Sequence, residues 1–209
     1  MEAEPARPTR RVNESHELVA IILLSLVAVL TAWCGFESAK WGGDSSVAFS
    51  EASAARIEAS DFDSQARDAR SIDLAIYAQW VLAEVNGEPE LAAYIQDRFS
   101  PEFAVAFDAW EADGRKERGP FVMPEYVPPG TTEGKKATAR AGALQADALD
   151  FNDKGDNYSL MTVLFALVLF LAAIAQRGIS LLAARIVLGV AGAIALTGLV
   201  VLFTFPIRL

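Results

Sequence analysis

Polar and apolar positions are segregated along this chain rather than mixed. Leu18 to Phe36 reads LVAIILLSLVAVLTAWCGF and Tyr158 to Gln176 reads YSLMTVLFALVLFLAAIAQ, each about 19 residues without a charge. As helices, such runs cover the roughly 30 Å of a bilayer's hydrocarbon core. A third run, RIVLGVAGAIALTGLVVLFTF, opens at Arg185 and stops at Pro206, so close behind the second that the two read as a transmembrane hairpin.

Between the first two runs the pattern changes. From Asp44 to Val85, apolar residues recur at helical spacing through Phe49, Ala52, Ala55, Ala59, Phe62, Ala66, Ala69, Ile72, Ile76, Trp80 and Ala83. Alanine is abundant and proline absent until Pro89, which predicts one long helix stopped by Asn86-Gly87. A second helix fits Pro89 to Arg98. Ser100-Pro101-Glu102 then has the cap, the first-turn proline and the acid that start a third helix. Prolines and glycines make 114–132 an irregular loop, after which KKATARAGALQADALDF turns helical and heads for the second span. No segment alternates with a period of two, so no sheet is expected.

The expected fold class is therefore all-α: three transmembrane helices with an extracytoplasmic helical domain formed between the first and second spans. Its parts are a cytoplasmic tail 1–17, spans at 18–36, 158–176 and 186–206, the acidic domain 37–157, a cytoplasmic turn 177–185 and an outer end 207–209. Charge supplies the orientation. Arg7, Arg10 and Arg11 precede the first span, and Arg177 and Arg185 flank the hairpin turn, so those ends belong in the cytoplasm. The net charge of −9 comes from the segment Glu37 to Tyr158, with about 23 acids against about 12 bases. That balance argues against nucleic acid as a partner.

Candidate chemistry is sparse. His16 is the only histidine, and Asp61-Phe62-Asp63 and Asp150 to Gly155 resemble calcium loops only until Ile72 and Met161 appear where the bidentate glutamate belongs. A looser site among Asp150, Asp153 and Asp156 competes with a solvated polar collar. No phosphate loop or nucleophile elbow is present, so no catalytic, cofactor or metal residue is assigned and an enzyme is not expected.

The remaining expectations concern contacts. Phe103, Phe107, Trp110, Phe121, Met123 and Tyr126 form either a partner-binding patch or the outer domain's own core, and exposure distinguishes the two. Trp33, Phe36, Trp41, Tyr158, Arg177 and Arg185 are read as membrane-interface anchors. Gly189, Gly192, Ala193 and Thr197 make a small-residue face for helix packing. In AWCGFESAKWGG, Trp33 precedes the lone cysteine where lipidation needs a small residue, so Cys34 reads as an apolar filler and Gly42-Gly43 as a hinge or a tight packing point.

Three stretches, AWCGFESAKWGG, SPEFAVAFDAW with PFVMPEY, and NYSLMTVLFALVLFLAA, resemble a family of uncharacterised bacterial three-span membrane proteins. The resemblance implies a bacterial inner membrane and carries no catalytic residue; Phe36-Glu37 stands where that family tends to have glutamine and an aromatic residue. The expected function is a partner-binding or assembly-stabilising membrane component, its partners the lipid bilayer and either further copies or another envelope protein. The alternative is a subunit of an oligomeric channel or transporter with an acidic outer vestibule.

Overall fold

The computed structural model describes residues 10–177 and 180–208, with no side chains described for 10–16. Arg7 and Gly178 of the expected cytoplasmic segments lie outside the described residues, as do the side chains of Arg10, Arg11 and His16. The described residues form helices and turns with no strand. The helices are α1 (Arg10–Asn86), α2 (Pro89–Gln96), α3 (Pro101–Ala112), α4 (Thr131–Ala175) and α5 (Leu181–Leu202), with a 3-10 turn at Pro120–Val122. Three of them, α1, α4 and α5, are long and apolar enough to cross a membrane.

The expected hinge at Gly42-Gly43 is absent, because α1 runs through both glycines without a break. Its buried positions explain the continuity. Ala20, Val27, Cys34, Trp41, Ala48 and Ala55 are each seven residues apart, and so are Ser45, Ala52 and Ala59, with Asp73 and Trp80 continuing the second series. In α4 the same spacing links Ala141 with Ala148, and Tyr158 with Phe165 and Ala172. A seven-residue repeat is the 3.5-residue period of left-handed coiled packing. Tertiary contact on a sustained stripe outweighs the roughly 1 kcal/mol that each glycine costs a helix.

The chain divides into two compact units. One comprises the chain up to Ala48 together with everything from Asp147; the other is Phe49–Ala146. In the first, segments of α1 and α4 pack with α5 around Val27, Cys34, Trp41, Tyr158, Phe165, Val168, Ala191 and Ala195. Small residues permit close approach: a Cβ on Gly155 would lie 3.4 Å from Ser38 O, and one on Gly198 only 3.0 Å from the Phe165 ring. The outward face is a belt of large apolar side chains, among them Leu26, Val29, Leu160, Val163, Phe170, Leu196 and Val200. Water does not tolerate an apolar belt of this extent, whereas acyl chains do.

The helix that carries the third apolar run extends from Leu181 to Leu202. Ser180 caps α5 by accepting from Ala183 N–H at 3.4 Å, which places Arg185 inside the first turns rather than ahead of the helix. At the other end Phe203–Phe205 form turns after Leu202.

In the second unit, α1 ends where Gly87 adopts φ +74°, and α2 follows at once. Ser100 caps α3, its hydroxyl accepting from Phe103 N–H at 3.2 Å. The long stretch of α1 meets the start of α4 through alanines and glycines: Ala52, Ala55 and Ala59 are buried on one helix, Ala137 and Ala141 on the other. Arg56 donates to Gln145 at 3.0 Å across this contact.

Candidate functional site

The six residues proposed as a partner-binding patch are brought together, but inward. Phe103, Phe107, Trp110 and Tyr126 are buried, and Phe121 and Met123 pack half-buried against them. Trp80, Ala83 and Ala92 complete the cluster, so α1, α2, α3 and the loop are pinned to one core. Phe103 stacks on Phe121 at 4.7 Å and meets Tyr126 edge-on at 5.9 Å; Trp80 and Phe107 meet edge-on at 4.9 Å. These rings supply the aromatic core described for this unit, which is the second of the two readings the hexad allowed.

Two polar contacts are built into that core. Tyr126 donates its hydroxyl to buried Asp73 at 2.8 Å, and Trp110 Nε1 donates to Glu117 O at 2.8 Å, which ties the loop to α3. Burial, and then the hydrogen bond to Asp73, push the Tyr126 hydroxyl well above the ordinary tyrosine range. Burial also raises Tyr77, whose ring contacts Trp80, Phe103, Trp110 and Phe121. At the rim Arg115 is held further in its charged form by the hydrogen bond it donates to Glu111 at 2.6 Å, and its guanidinium lies over Trp80 and Trp110.

The membrane-interface set divides. Trp33 is half-buried with its ring 6.0 Å from exposed Phe36, and Arg177 and Arg185 are exposed. Trp41 and Tyr158 are not anchors. They are 4% and 1% exposed, because both fall on the seven-residue stripe of their helices. Tyr158 instead donates to Pro206 O at 2.9 Å and stacks edge-on with Phe205, holding the segment after α5.

The packing face of α5 is also rotated from the expected one. Gly189, Ala193 and Thr197 face outward and Gly192 is half-buried, with open space at both glycines; the buried residues are Ala191, Ala195 and Gly198. Period alone could not select among the small residues that crowd this helix; the demand for close approach to Phe165 and Leu164 selects Gly198.

Sequence reasoning gave no role to two buried acids, Asp73 and Glu37. Glu37 is fully buried in the first unit, one heptad step from Asp44, and accepts from Arg208 N–H at 3.1 Å. Arg208 also pairs with Asp44 at 2.9 Å and lies over the Trp41 and Phe151 rings. Lys154 lies over the same two rings and bonds Asp150. The legible signal was an acid at the mouth of a span, a placement that costs too much to be idle.

Among the described residues no group of His, Cys, Asp and Glu could hold a metal ion; Asp150 and Asp156 are engaged by Lys154 and Asn152. Neither a known protein family, nor a curated protein, nor a solved structure matches the chain.

Proposed function

We propose that this chain is a three-span protein of a bacterial inner membrane that acts as a partner-binding or assembly-stabilising component. In this reading the amino terminus is cytoplasmic and the helical unit Phe49–Ala146 lies outside. The outward apolar belt and the arginines at the α4–α5 turn support the membrane placement and its direction. The bacterial inner membrane is what the sequence resemblance implies.

One observation carries the recognition role. The outer unit has a complete core of its own, yet leaves Leu82 and Val85 at the end of α1, and Leu91 and Tyr94 on α2, turned outward. Leu74 shares the helical face of Val85, eleven residues away. Other exposed apolar residues of the unit, such as Ile57, Val105 and Val122, lie elsewhere on it, but those gathered beside one tight turn suit contact with another protein. The pore alternative gains no support from the spans. Thr31, Thr162 and Thr197 each donate to the carbonyl four residues earlier in their own helix, so these hydroxyl protons are used within the helices.

The test is photocrosslinking in native membranes, with p-benzoylphenylalanine at Leu82 or Leu91 and, as control, at exposed Glu58. The reading expects a discrete adduct from Leu82 and Leu91 and none from Glu58. Silence from both apolar positions, or the same adduct from all three, removes the recognition role.

A further inference from the structure

The segment after α5 fits badly where it rests. Arg208 gives Glu37 Oε2 one N–H, but Glu37 Oε1 has no partner, and neither has Trp41 Nε1 one helical turn away. Asp44 Oδ2 lies 2.9 Å from Arg208 Nε and still has no aligned hydrogen bond. Two polar atoms on side chains at least nine-tenths buried are thus unsatisfied one turn apart on one helix, beside an Asp44 oxygen whose ion pair lacks hydrogen-bond alignment. Buried donors and acceptors are paired in native structures, and an orphan needs a reason.

The surroundings define what could pair them. A group at Glu37 Oε1 must donate, and a group at Trp41 Nε1 must accept. A metal ion does only the first and a simple anion only the second. The Trp41 and Phe151 rings and the Asp44 carboxylate already hold a nitrogen cation, the Arg208 guanidinium, beside Glu37, so these surroundings suit a cationic nitrogen. Lys154, 4.9 Å from the centre of the Trp41 ring, adds a positive charge for an anionic oxygen. We propose that this end of the first unit binds an ethanolamine-type group: a primary ammonium seated at Glu37, with its hydroxyl or phosphate-ester oxygen, two carbons away, accepting from Trp41 Nε1.

Arg208 then acts as the resident stand-in. Its half-exposed side chain lies over the Trp41 ring, and the ligand gains Glu37 and Trp41 by displacing it. The same chemistry comes from two sources, a phospholipid headgroup of the surrounding bilayer or a free phosphoethanolamine. The inference does not depend on the recognition role proposed above.

The experiment uses full-length protein labelled with 5-fluorotryptophan in phosphatidylcholine nanodiscs. Its four tryptophans give four 19F resonances, and Trp41→Phe assigns the relevant one. One arm introduces phosphatidylethanolamine into the disc; the other adds millimolar O-phosphoethanolamine to a pure phosphatidylcholine disc, with O-phosphocholine as control. The Trp41 resonance should move in at least one arm and stay fixed with phosphocholine, whose quaternary nitrogen has no N–H. A shift in the first arm alone names the lipid, and a shift in the second names the soluble compound. Glu37→Gln should weaken the response about tenfold or more, with the Trp33, Trp80 and Trp110 resonances unmoved as the check on folding. Arg208→Ala should respond at lower ligand concentration than wild type, because the competing guanidinium is gone. A Trp41 resonance indifferent to both arms, as expected if one trapped water satisfies the pair, overturns the proposal. So does an equal response to phosphocholine, or an Arg208→Ala protein that responds as wild type does.

Discussion

Gly130 and Gly134 open α4 one turn apart, and their replacement by alanine should have opposite consequences. Gly134 N–H donates to Gly130 O at 2.8 Å, which starts the helix, and Gly130 itself has φ +88°. An alanine there takes a left-handed backbone at a cost of about 1–2 kcal/mol. Its Cβ would also stand 2.6 Å from the Phe62 carbonyl oxygen and 3.2 Å from Gln65 Oε1. The first neighbour is α1 backbone, which can yield only if the two helices separate by several tenths of an ångström, an overpacking cost of about 1–3 kcal/mol. The sum is about 2–5 kcal/mol.

At Gly134 the backbone is helical, and a Cβ would meet Asp63 Oδ1 at 3.0 Å and Phe62 Cβ at 3.4 Å. The carboxylate end can rotate away, while alanine gains about 1 kcal/mol of helix propensity over glycine. Gly134→Ala should therefore be neutral within about 1 kcal/mol. For a unit of about a hundred residues, each kcal/mol moves the midpoint by roughly 4–8 °C. Thermal unfolding of the full-length protein in mild detergent, followed by the near-ultraviolet circular dichroism of Trp80 and Trp110, should show Gly130→Ala melting about 10 °C or more below wild type. Gly134→Ala should lie within a few degrees of wild type. Equal loss from both variants, or none from Gly130→Ala, would refute the distinction between backbone and side-chain neighbours.

Tyr126→Phe should destabilise the same unit by about 1–3 kcal/mol near neutral pH, since buried Asp73 loses its donor. The hydroxyl's affinity for its proton is raised on folding, so between the unfolded and folded values the native state binds more protons and stability falls as pH rises. The wild-type advantage over Tyr126→Phe should be complete below about pH 10 and shrink above it; melting curves across that range would show a constant gap if the reasoning is wrong. Gly198→Leu should weaken the packing of α5 on Phe165 and Leu164, whereas Gly189→Leu, facing open space, should leave it intact; denaturation in rising sodium dodecyl sulfate ranks the two. Ser100→Ala should cost about 1 kcal/mol through loss of the α3 cap, visible as faster amide exchange at the start of α3. Glu88→Cys should react with an impermeant maleimide in intact cells, with buried Cys34 unreactive beside it; labelling only after lysis would reverse the proposed orientation.

The sequence made some features plain because one local force determines each of them. The ends of α1 and the starts of α2 and α3 follow from Asn86-Gly87, Pro89 and Ser100-Pro101, residues whose own backbone and hydrogen-bonding chemistry decides the matter. The three spans follow from the cost of leaving a long apolar run in water. What local reasoning could not reach was direction. A glycine pair reads as a hinge until the stripe through Trp41, Ser45 and Ala48 holds the helix straight across it. Aromatic residues near a span's end read as anchors until the same stripe turns Trp41 and Tyr158 inward.

The seven-residue register was itself present in the sequence, and it decides more than packing. Extending the series Cys34, Trp41, Ala48 shows which side of α1 is interior at the span's end, and Glu37, one turn beyond Cys34, falls on that side. Hydropathy stops at Phe36 because a charge follows. Register continues past it, and so identifies the acid as buried rather than as the first residue in water. A buried acid requires donors, and the one it finds is the backbone N–H of Arg208, 171 residues away in the chain. That pairing depends on α5 and the turns after it, which no local pattern near Glu37 encodes. The contact of Arg208 with Glu37 and Asp44, which leaves Glu37 Oε1 and Trp41 Nε1 unpaired, is therefore the point at which coordinates add what periodicity cannot.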